Sequence, residues 1–278
     1  MTFPFLAMLL RIAALLLVGY AAICLLVAWR QERMLFFPEQ ASLQTVEREA
    51  RAAGFRLWPE ATTGYRALLA EPAGAANGTC LIWHGNAGSA RQRDYLAAPL
   101  LQLGWRVMVA EYPGYGARPR GSLREAALVA EARDLTLEVR RRFGGPLIVV
   151  GESLGAAVAS AVAGDPNLPV AGAILLTPWS DLAGVARTHY PWLPVGLLLR
   201  DRFDNATVLH DYRGPVLLVA AGNDEIIPAT EGRRLYQALP TSAKRWREIP
   251  GAWHNDWIER VTSEDWREWL VFAAGPKR

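Results

Sequence analysis

The pentapeptide GESLG at residues 151–155 decides the fold class of this 278-residue chain. The apolar run PLIVV at residues 146–150 precedes it, and the small-residue run AAVASAVAG at residues 156–164 follows it. This order predicts a strand, a sharp turn and a helix, with Ser153 at the tip of the turn. Glycine suits both ends because so sharp a turn brings its flanking backbone together and leaves little room for side chains. Taken alone, the pentapeptide fits equally well a glycine-flanked serine in an ordinary turn.

The rest of the chain alternates apolar strands with helices. The predicted strands are residues 66–72, 78–83, 105–112, 146–150, 170–176, 215–221 and 243–250. The predicted helices are residues 45–53, 91–103, 122–142, 231–239 and 255–274. Nearly continuous apolar strands that alternate with helices are typical of a parallel sheet covered on both faces. We therefore predict an α/β fold with a mostly parallel central sheet. Ser122 and Glu125 have the spacing of a capping box, which we predict at the start of the longest of these helices.

Composition limits the number of domains and the classes of partner. The chain is 51% hydrophobic and 21% charged, which suits one sizeable domain with a short appendage. Its net charge of +3 is spread along the chain, and the arginines at residues 140–142 end a predicted helix, where they complement the helix dipole. We therefore expect no nucleic-acid partner. Cys24 and Cys80 are expected to stay apart, and no Cys or His cluster indicates a metal or cofactor.

The N-terminal segment is long and apolar. Residues 12–29 carry no charged side chain, and the apolar run extends back beyond Arg11 to residue 3. This is close to the length that spans a bilayer. A signal peptide cleaved near Ala21 and Ala22 is one alternative, although the apolar run continues past that point, and a buried core helix is another. We predict an uncleaved single-pass anchor at residues 1–33, followed by the α/β domain at residues 34–278.

Positive charges flank the predicted anchor on both sides. Arg11 precedes its uncharged stretch, and Arg30 and Arg33 follow it. The excess on the second side favours a cytoplasmic α/β domain. A single N-terminal anchor can also export everything after it, so both orientations stay open.

Residues 177–212 interrupt the alternation of strands and helices. This stretch contains TPWSDL and THYPWLPVGLLLRDRFD, and it is rich in tryptophan, tyrosine, proline and leucine. This composition fits a short cap or wall over a substrate pocket, because pocket walls are mainly apolar and aromatic. It fits a packed connection between strands equally well. Trp179, near its start, is a candidate pocket residue, with core packing as its alternative role.

A serine nucleophile on such a turn needs a base, and the base needs an orienting carboxylate. In a sheet of this kind the acid and then the base follow the serine along the chain. AAGNDEIIP places Asp224 in the loop after one apolar strand, and PGAWHND places His254 in the loop after the last strand. We therefore predict a catalytic triad of Ser153, Asp224 and His254. Glu225 is a weaker candidate because Asp224 lies nearer the strand end.

The other histidines fit the role of base less well. His84 lies too early in the chain, and we expect it to brace its own loop by hydrogen bonds. His189 and His210 lie in the interrupting stretch, where nothing resembles a strand end before them. For both, a surface or core position is the expected role.

A tetrahedral intermediate needs two hydrogen-bond donors directed at its oxyanion. We predict the backbone N–H of Leu154 as one, because it lies at a helix N-terminus. The motif HGNAG at residues 84–88 follows an earlier strand, and the N–H of Asn86 is the second predicted donor, with Ala87 as the alternative. A plain glycine turn explains HGNAG less well, because it begins at the end of a buried strand.

YPGYG at residues 112–116 has two possible roles. Tyr112 and Tyr115 are candidates for a substrate pocket, but a structural turn is the favoured interpretation.

Several motifs together resemble a known family. HGNAG, YPGYG, GESLG, DEIIP and HND, with MLFFP after an apolar helix, are similar to motifs of the α/β-hydrolases in the Bem46-like, or ABHD12/13/17-like, group. The resemblance runs from residue 34 to residue 257. It implies a serine hydrolase, usually membrane-associated, that acts on acyl esters or thioesters, with Ser153, Asp224 and His254 as nucleophile, acid and base. AAGND departs from the group, which commonly has a histidine–glycine pair there.

Three functions remain in competition at this point. The first is a membrane-anchored serine hydrolase acting on a small-molecule or lipid-like acyl substrate. The second uses the same fold for a peptidase or amidase, an acyltransferase or a lyase, because a fold does not determine a reaction. The third is a non-catalytic binding protein, which would be expected to have lost parts of the triad or of the oxyanion hole.

Overall fold

The computed structural model describes residues 3–59 and 64–275. The strands are β1 (Phe37–Pro38), β2 (Arg56–Trp58), β3 (Ala67–Ala70), β4 (Thr79–Trp83), β5 (Ala87–Gly88), β6 (Arg106–Ala110), β7 (Leu147–Glu152), β8 (Gly172–Leu176), β9 (Val216–Ala221) and β10 (Lys244–Ile249). The helices are α1 (Phe3–Leu35), α2 (Leu43–Ala52), α3 (Asp94–Gln102), α4 (Glu125–Phe143), α5 (Leu154–Ala163), α6 (Leu182–His189), α7 (Val195–Leu198), α8 (Asn205–Val208), α9 (Ala229–Ala238) and α10 (Ser263–Ala274).

Eight strands form one sheet in the order β10-β9-β8-β7-β4-β6-β3-β2. The six strands from β10 to β6 are parallel, and β3 and β2 extend the sheet antiparallel at one edge. The prediction of an α/β fold with a mostly parallel central sheet is therefore confirmed. The parallel strands end at one common edge, where sites in such sheets form.

Side chains of the central strands pack alternately against helices on the two faces. In β7, Leu147 and Val149 face the core shared with α4, α5 and α9, while Ile148 and Val150 face the core shared with α2, α3 and α10. Because both faces are covered, every residue from 147 to 151 is buried, which explains the continuous apolar run in the sequence.

Several helices begin at other residues than predicted, and for two of them the cause is a capping contact. Helix α4 begins at Glu125 without the capping box, because the Glu125 carboxylate accepts backbone N–H groups of Arg202 and Phe203. Asp201 takes over the capping role by accepting the N–H of Glu125. The last helix, α10, begins at Ser263 rather than residue 255. Thr262 and Asp265 form a capping box at this start.

The N-terminal helix α1 has the length and composition to cross a membrane. Residues 4–35 include an 18-residue window with a mean hydropathy of 2.5. Only 6% of that window is buried inside the protein. A signal sequence passes the same test of length and apolarity. The helix continues to Leu35 and leads directly into β1, which pairs in parallel with β5 of the HGNAG motif.

The interrupting stretch forms three short helices, α6, α7 and α8. Its apolar residues Leu193 and Val195 pack around Cys24 of α1. Trp179 is buried, and its indole N–H donates to the carbonyl of Phe203 within the same stretch. The stretch therefore joins the N-terminal helix to the α/β core.

Candidate active site

Ser153 lies at the turn between β7 and α5. Its backbone has φ 54°, a left-handed conformation that costs energy for a residue with a side chain. A Cβ at Gly155 would overlap the carbonyl oxygen of Trp83, and one at Gly151 would overlap the backbone of Gly155. The two glycines are therefore required by close backbone contact, as the sequence predicts for such a turn.

The structure brings Ser153, His254 and Asp224 into one line of hydrogen-bond contacts. The His254 Nε2 atom is 3.2 Å from Ser153 Oγ, and its Nδ1 atom is 2.7 Å from Asp224 Oδ2. All three residues are at least 90% buried. Because the carboxylate accepts the proton on Nδ1, Nε2 is left as the acceptor that faces the serine hydroxyl.

The loop after β9 holds the side chain of Asp224 by its backbone. The second oxygen of Asp224, Oδ1, accepts the N–H groups of Ile226 and Ile227 at 2.9 and 2.7 Å. Glu225, the weaker sequence candidate, has a different partner, because its carboxylate accepts the backbone N–H of His254 at 3.3 Å. Both carboxylates therefore contact His254, but only Asp224 contacts its imidazole ring.

The HGNAG loop lies directly beside Ser153. A Cβ built on Gly85 would stand 3.6 Å from the Cβ of Ser153. On the other side of the serine, the N–H of Leu154 belongs to the first turn of α5, where the helix itself offers no acceptor. The two predicted oxyanion donors, Leu154 and Asn86, therefore come from segments that meet at the serine.

His84 braces this loop from behind and is completely buried. Its Nδ1 atom is 2.7 Å from the carbonyl oxygen of Gly85, which can only accept, so Nδ1 carries a proton. That carbonyl belongs to the same peptide group as the N–H of Asn86, and the contact therefore orients the predicted donor. The Nε2 atom is 3.2 Å from the carboxylate of Glu111, which also accepts the N–H of Ala90.

The two tyrosines of YPGYG are buried behind the same loop. The hydroxyl of Tyr112 donates to the carbonyl of His84 at 2.9 Å, and that of Tyr115 donates to the carbonyl of Asn86 at 2.7 Å. Burial raises the pKa of both phenols above the usual range, which keeps them protonated as donors. Their burial, and that of Trp179, favours bracing over substrate contact for all three pocket candidates.

The end of the N-terminal helix is also attached to the loop. The side-chain amide of Asn86 donates to the carbonyl of Leu35 at 2.6 Å, and the N–H of Phe37 donates to the carbonyl of Asn86 at 2.9 Å. Sequence reasoning placed MLFFP after the anchor but missed its pairing with the loop. A partner fifty residues away leaves no local pattern by which to find it.

A partly buried ion pair links the loop to the turn that carries Ser153, and sequence reasoning missed it as well. Arg93 Nε donates to Glu152, the residue before Ser153, at 3.0 Å, while another nitrogen of Arg93 donates to the carbonyl of Ala87 at 2.8 Å. The hydroxyl of Tyr95 donates to the second oxygen of Glu152 at 2.5 Å. Arg93 therefore bridges the two segments that carry the predicted oxyanion donors.

The remaining histidines lie away from this line of contacts. His189 is exposed, and its Nε2 atom is 2.8 Å from the carbonyl of Ile226 in the acid loop. His210 is exposed next to Asp211. The rim of the site includes exposed apolar side chains, since Ile226 and Trp253, the neighbour of His254, are 42% and 50% exposed, and the exposed Glu225 lies beside Ile226.

Comparison with known proteins agrees with this architecture. Residues 79–209 match the family described as the alpha/beta hydrolase fold. The uncharacterized protein Rv2307c of Mycobacterium tuberculosis is 34% identical over 233 residues, which cover 82% of this chain and 81% of that protein. The lysophosphatidylserine lipase ABHD12 of Danio rerio is 29% identical over 181 residues, which cover 58% of this chain and 47% of that protein.

Solved structures extend the comparison. The monoacylglycerol lipase of Paleococcus ferrophilus superposes with a TM-score of 0.57 and 21% identity, covering 75% of this chain and 99% of that chain. At this identity the likeness concerns the fold alone. The chain belongs to the α/β-hydrolase fold family, in the Bem46/ABHD group that its motifs indicate.

Proposed function

We propose that this chain is a membrane-anchored serine hydrolase that cleaves acyl esters or thioesters through an acyl-enzyme on Ser153. One observation carries the proposal, namely the line of contacts from Ser153 through His254 to Asp224 at the carboxyl edge of the sheet. Membership of the α/β-hydrolase family and the sequence similarity to proteins named as lipases support hydrolytic chemistry.

The geometry suggests how the acyl-enzyme forms. His254 Nε2 takes the hydroxyl proton as Ser153 Oγ attacks the carbonyl carbon, and the ionised Asp224 stabilises the imidazolium. His254 then gives this proton to the departing alcohol oxygen or thiol sulfur as the bond from acyl carbon to leaving group breaks. A water molecule attacks the acyl carbon with His254 again as base, which releases the carboxylic acid and restores the serine hydroxyl.

The oxyanion of each tetrahedral intermediate would lie between the N–H groups of Leu154 and Asn86. Loss of one such donor typically costs about a hundredfold to a thousandfold in kcat. The contact of His84 with the carbonyl of Gly85 and the bridge made by Arg93 are arranged to keep these two donors at a constant separation. We therefore assign positioning roles to His84 and Arg93.

The anchor forms part of the proposal because α1 is attached to the domain along its second half. Its last turn contacts Asn86, and Gln31 and Tyr20 donate hydrogen bonds to carbonyls of the interrupting stretch. A signal peptide that is removed has no need of such contacts. An uncleaved anchor beside an apolar site rim favours lipophilic acyl esters as substrates.

Labelling of the full chain in membranes by a fluorophosphonate probe tests this function. The native chain should be labelled and should hydrolyse a short nitrophenyl ester, while Ser153→Ala should lose both properties. Ser160→Ala is a matched control, because Ser160 is a buried serine on α5 whose hydroxyl donates only to the carbonyl of Ala156. Full turnover by Ser153→Ala would refute the proposal, and labelling without hydrolysis of any ester would favour an acyltransferase instead.

A further inference from the structure

Helix α1 contacts the interrupting stretch along one face. Tyr20, Cys24, Val27 and Gln31 are spaced four, three and four residues apart, so they lie on one side of the helix. The hydroxyl of Tyr20 donates to the carbonyl of Trp192, and Cys24 and Val27 pack with Leu193 and Val195. Residues 190–199 therefore run beside the second half of α1.

This segment of the stretch, residues 190–199, is apolar and partly unburied. Its sequence YPWLPVGLLL contains no charged side chain. Tyr190 is 41% exposed, Trp192 is 55% exposed and Leu197 is 87% exposed. Along α1, Leu25 and Trp29 are also exposed. Water-soluble surfaces rarely collect so many large apolar side chains in one place, whereas surfaces that contact membranes do.

Several backbone groups in and next to the apolar segment have hydrogen-bond partners. Gln31 Nε2 donates to the carbonyl of Leu198 at 2.6 Å, and Gln31 Oε1 accepts the N–H of Arg200 at 3.0 Å. Pro191 and Pro194 have no N–H to satisfy. Tyr20 donates to the Trp192 carbonyl inside the uncharged stretch of α1, whereas Gln31, one residue beyond Arg30, meets its partners at the boundary of that stretch. Unpaired backbone groups are costly in hydrocarbon, so these hydrogen bonds favour immersion.

The depth follows from the charges on α1. Residues 12–29, between Arg11 and Arg30, rise about 27 Å at about 1.5 Å per residue, close to the thickness of the hydrocarbon core. Contacts with the apolar segment begin at Tyr20, in the middle of this stretch. The segment consequently lies beside the half of the span that is nearer the α/β domain.

A contact next to the apolar segment connects the interrupting stretch to the rim of the candidate active site. His189, which precedes the apolar segment, contacts the carbonyl of Ile226, whose N–H in turn holds Asp224. The side chains of Ile226 in this loop and of Trp253, the neighbour of His254, are exposed and apolar.

We propose that residues 190–199, together with residues 20–29 of α1, enter the hydrocarbon of one leaflet and hold the rim of the active site against the lipid surface. The occupant of this surface is the bilayer itself. The consequence for substrate rests on the proposed function: the hydrolysed ester is drawn from the leaflet rather than from water.

Site-specific labelling tests the immersion without any need for catalysis. In the full chain, Leu197→Cys would carry an environment-sensitive NBD label in phosphatidylcholine vesicles, and Val271→Cys, at an exposed apolar position on α10, is the matched control. The native Cys24 and Cys80 are buried, and the unsubstituted chain measures their background. We expect blue-shifted emission at 197 that is quenched by lipids with nitroxides on their acyl chains, and water-like emission at 271 that is quenched by iodide.

Two labelling results would overturn the immersion. Equal quenching of both labels by iodide would mean that the segment faces water. A blue shift at 197 without quenching by nitroxide lipids would mean that a protein, such as a second copy of the chain, covers it.

Kinetics of the double variant Trp192→Ser/Leu197→Ser test the supply of substrate. Loss of two apolar anchors should raise KM for a vesicle-borne ester at least about tenfold. The kcat/KM for a short, water-soluble nitrophenyl ester should stay within about twofold. Val271→Ser should change neither constant. Equal losses on both esters would refute drawing from the leaflet, whereas an inactive native chain would refute the proposed function and leave the labelling result standing.

Discussion

Substitution of Asp224 by Asn tests whether the hydrogen-bond contacts from Ser153 through His254 to Asp224 carry catalysis. Asp224 Oδ1 accepts two backbone N–H groups, and only an oxygen can do so. The amide of an asparagine would keep that oxygen in place and would therefore direct its NH2 group toward His254 Nδ1, where the carboxylate oxygen now lies at 2.7 Å. Nδ1 would then be an acceptor, and Nε2 would carry the proton.

The expected loss follows from this change of tautomer. A histidine with its proton on Nε2 cannot accept the hydroxyl proton of Ser153, although all heavy atoms remain in position. In serine proteases the equivalent change lowers kcat by about ten thousandfold, or about 5.5 kcal/mol, and we expect a loss of that order here. Stability should change by about 1 kcal/mol or less, since both backbone hydrogen bonds persist.

Hydrolysis of a nitrophenyl ester and thermal unfolding measured on the same samples provide the assay. Asp256→Asn is the matched control, because Asp256 is two residues from His254 and accepts the N–H of Trp253 rather than an imidazole proton. It should retain activity within about threefold. If Asp224→Asn kept more than a tenth of the native kcat with an unchanged unfolding temperature, the tautomer argument would be wrong.

Three further substitutions probe the supports of the site. Gly155→Ala places a Cβ against a backbone carbonyl of β4, so the free energy of unfolding, measured by thermal unfolding, should fall by about 1–3 kcal/mol. In the control Gly196→Ala the added Cβ enters open space, and the loss should be less than about 1 kcal/mol. Arg93→Lys keeps the charge but not both contacts, so kcat should fall about tenfold with KM nearly unchanged; an equal loss in KM would contradict a positioning role. Burial raises the pKa of Glu231 despite a neighbouring arginine, so its ionised form weakens the folded state as pH rises above its unfolded pKa of about 4.3. The unfolding temperature of Glu231→Gln relative to the native chain should therefore increase from pH 4 to pH 7, and a constant difference would count against this reasoning.

Local patterns in the sequence are sufficient to predict the sheet and the loops that follow its strands. Strands buried on both faces leave continuous apolar runs, and the carboxyl ends of parallel strands lie at one edge. Residues that follow such runs can therefore be grouped without a structure. Ser153, Asp224 and His254 each follow one, and the structure brings them within hydrogen-bond distance of one another.

Contacts between distant segments could not be predicted in this way. Asp201 replaces the expected capping residue of α4 because a chain segment about seventy-five residues away folds back onto that helix. The bridge from Arg93 to Glu152 has the same character, since each residue alone is an ordinary charged side chain in a loop or a turn. Burial and pairing, which give such residues their roles, depend on the completed fold.

The N-terminal helix meets the active site from two sides, and this makes it more than a means of attachment. Its last turn contacts Asn86 of the predicted oxyanion hole, and Tyr20 and Gln31 contact the stretch that reaches the acid loop. A rigid helix that contacts both sides of a site transmits its own orientation to that site. If α1 lies across a bilayer, its tilt is set by the lipid and by its flanking arginines, and the rim of the active site must adopt a matching orientation toward the lipid surface. On this argument, the proposed anchor and the proposed specificity for lipid esters are consequences of one arrangement of contacts.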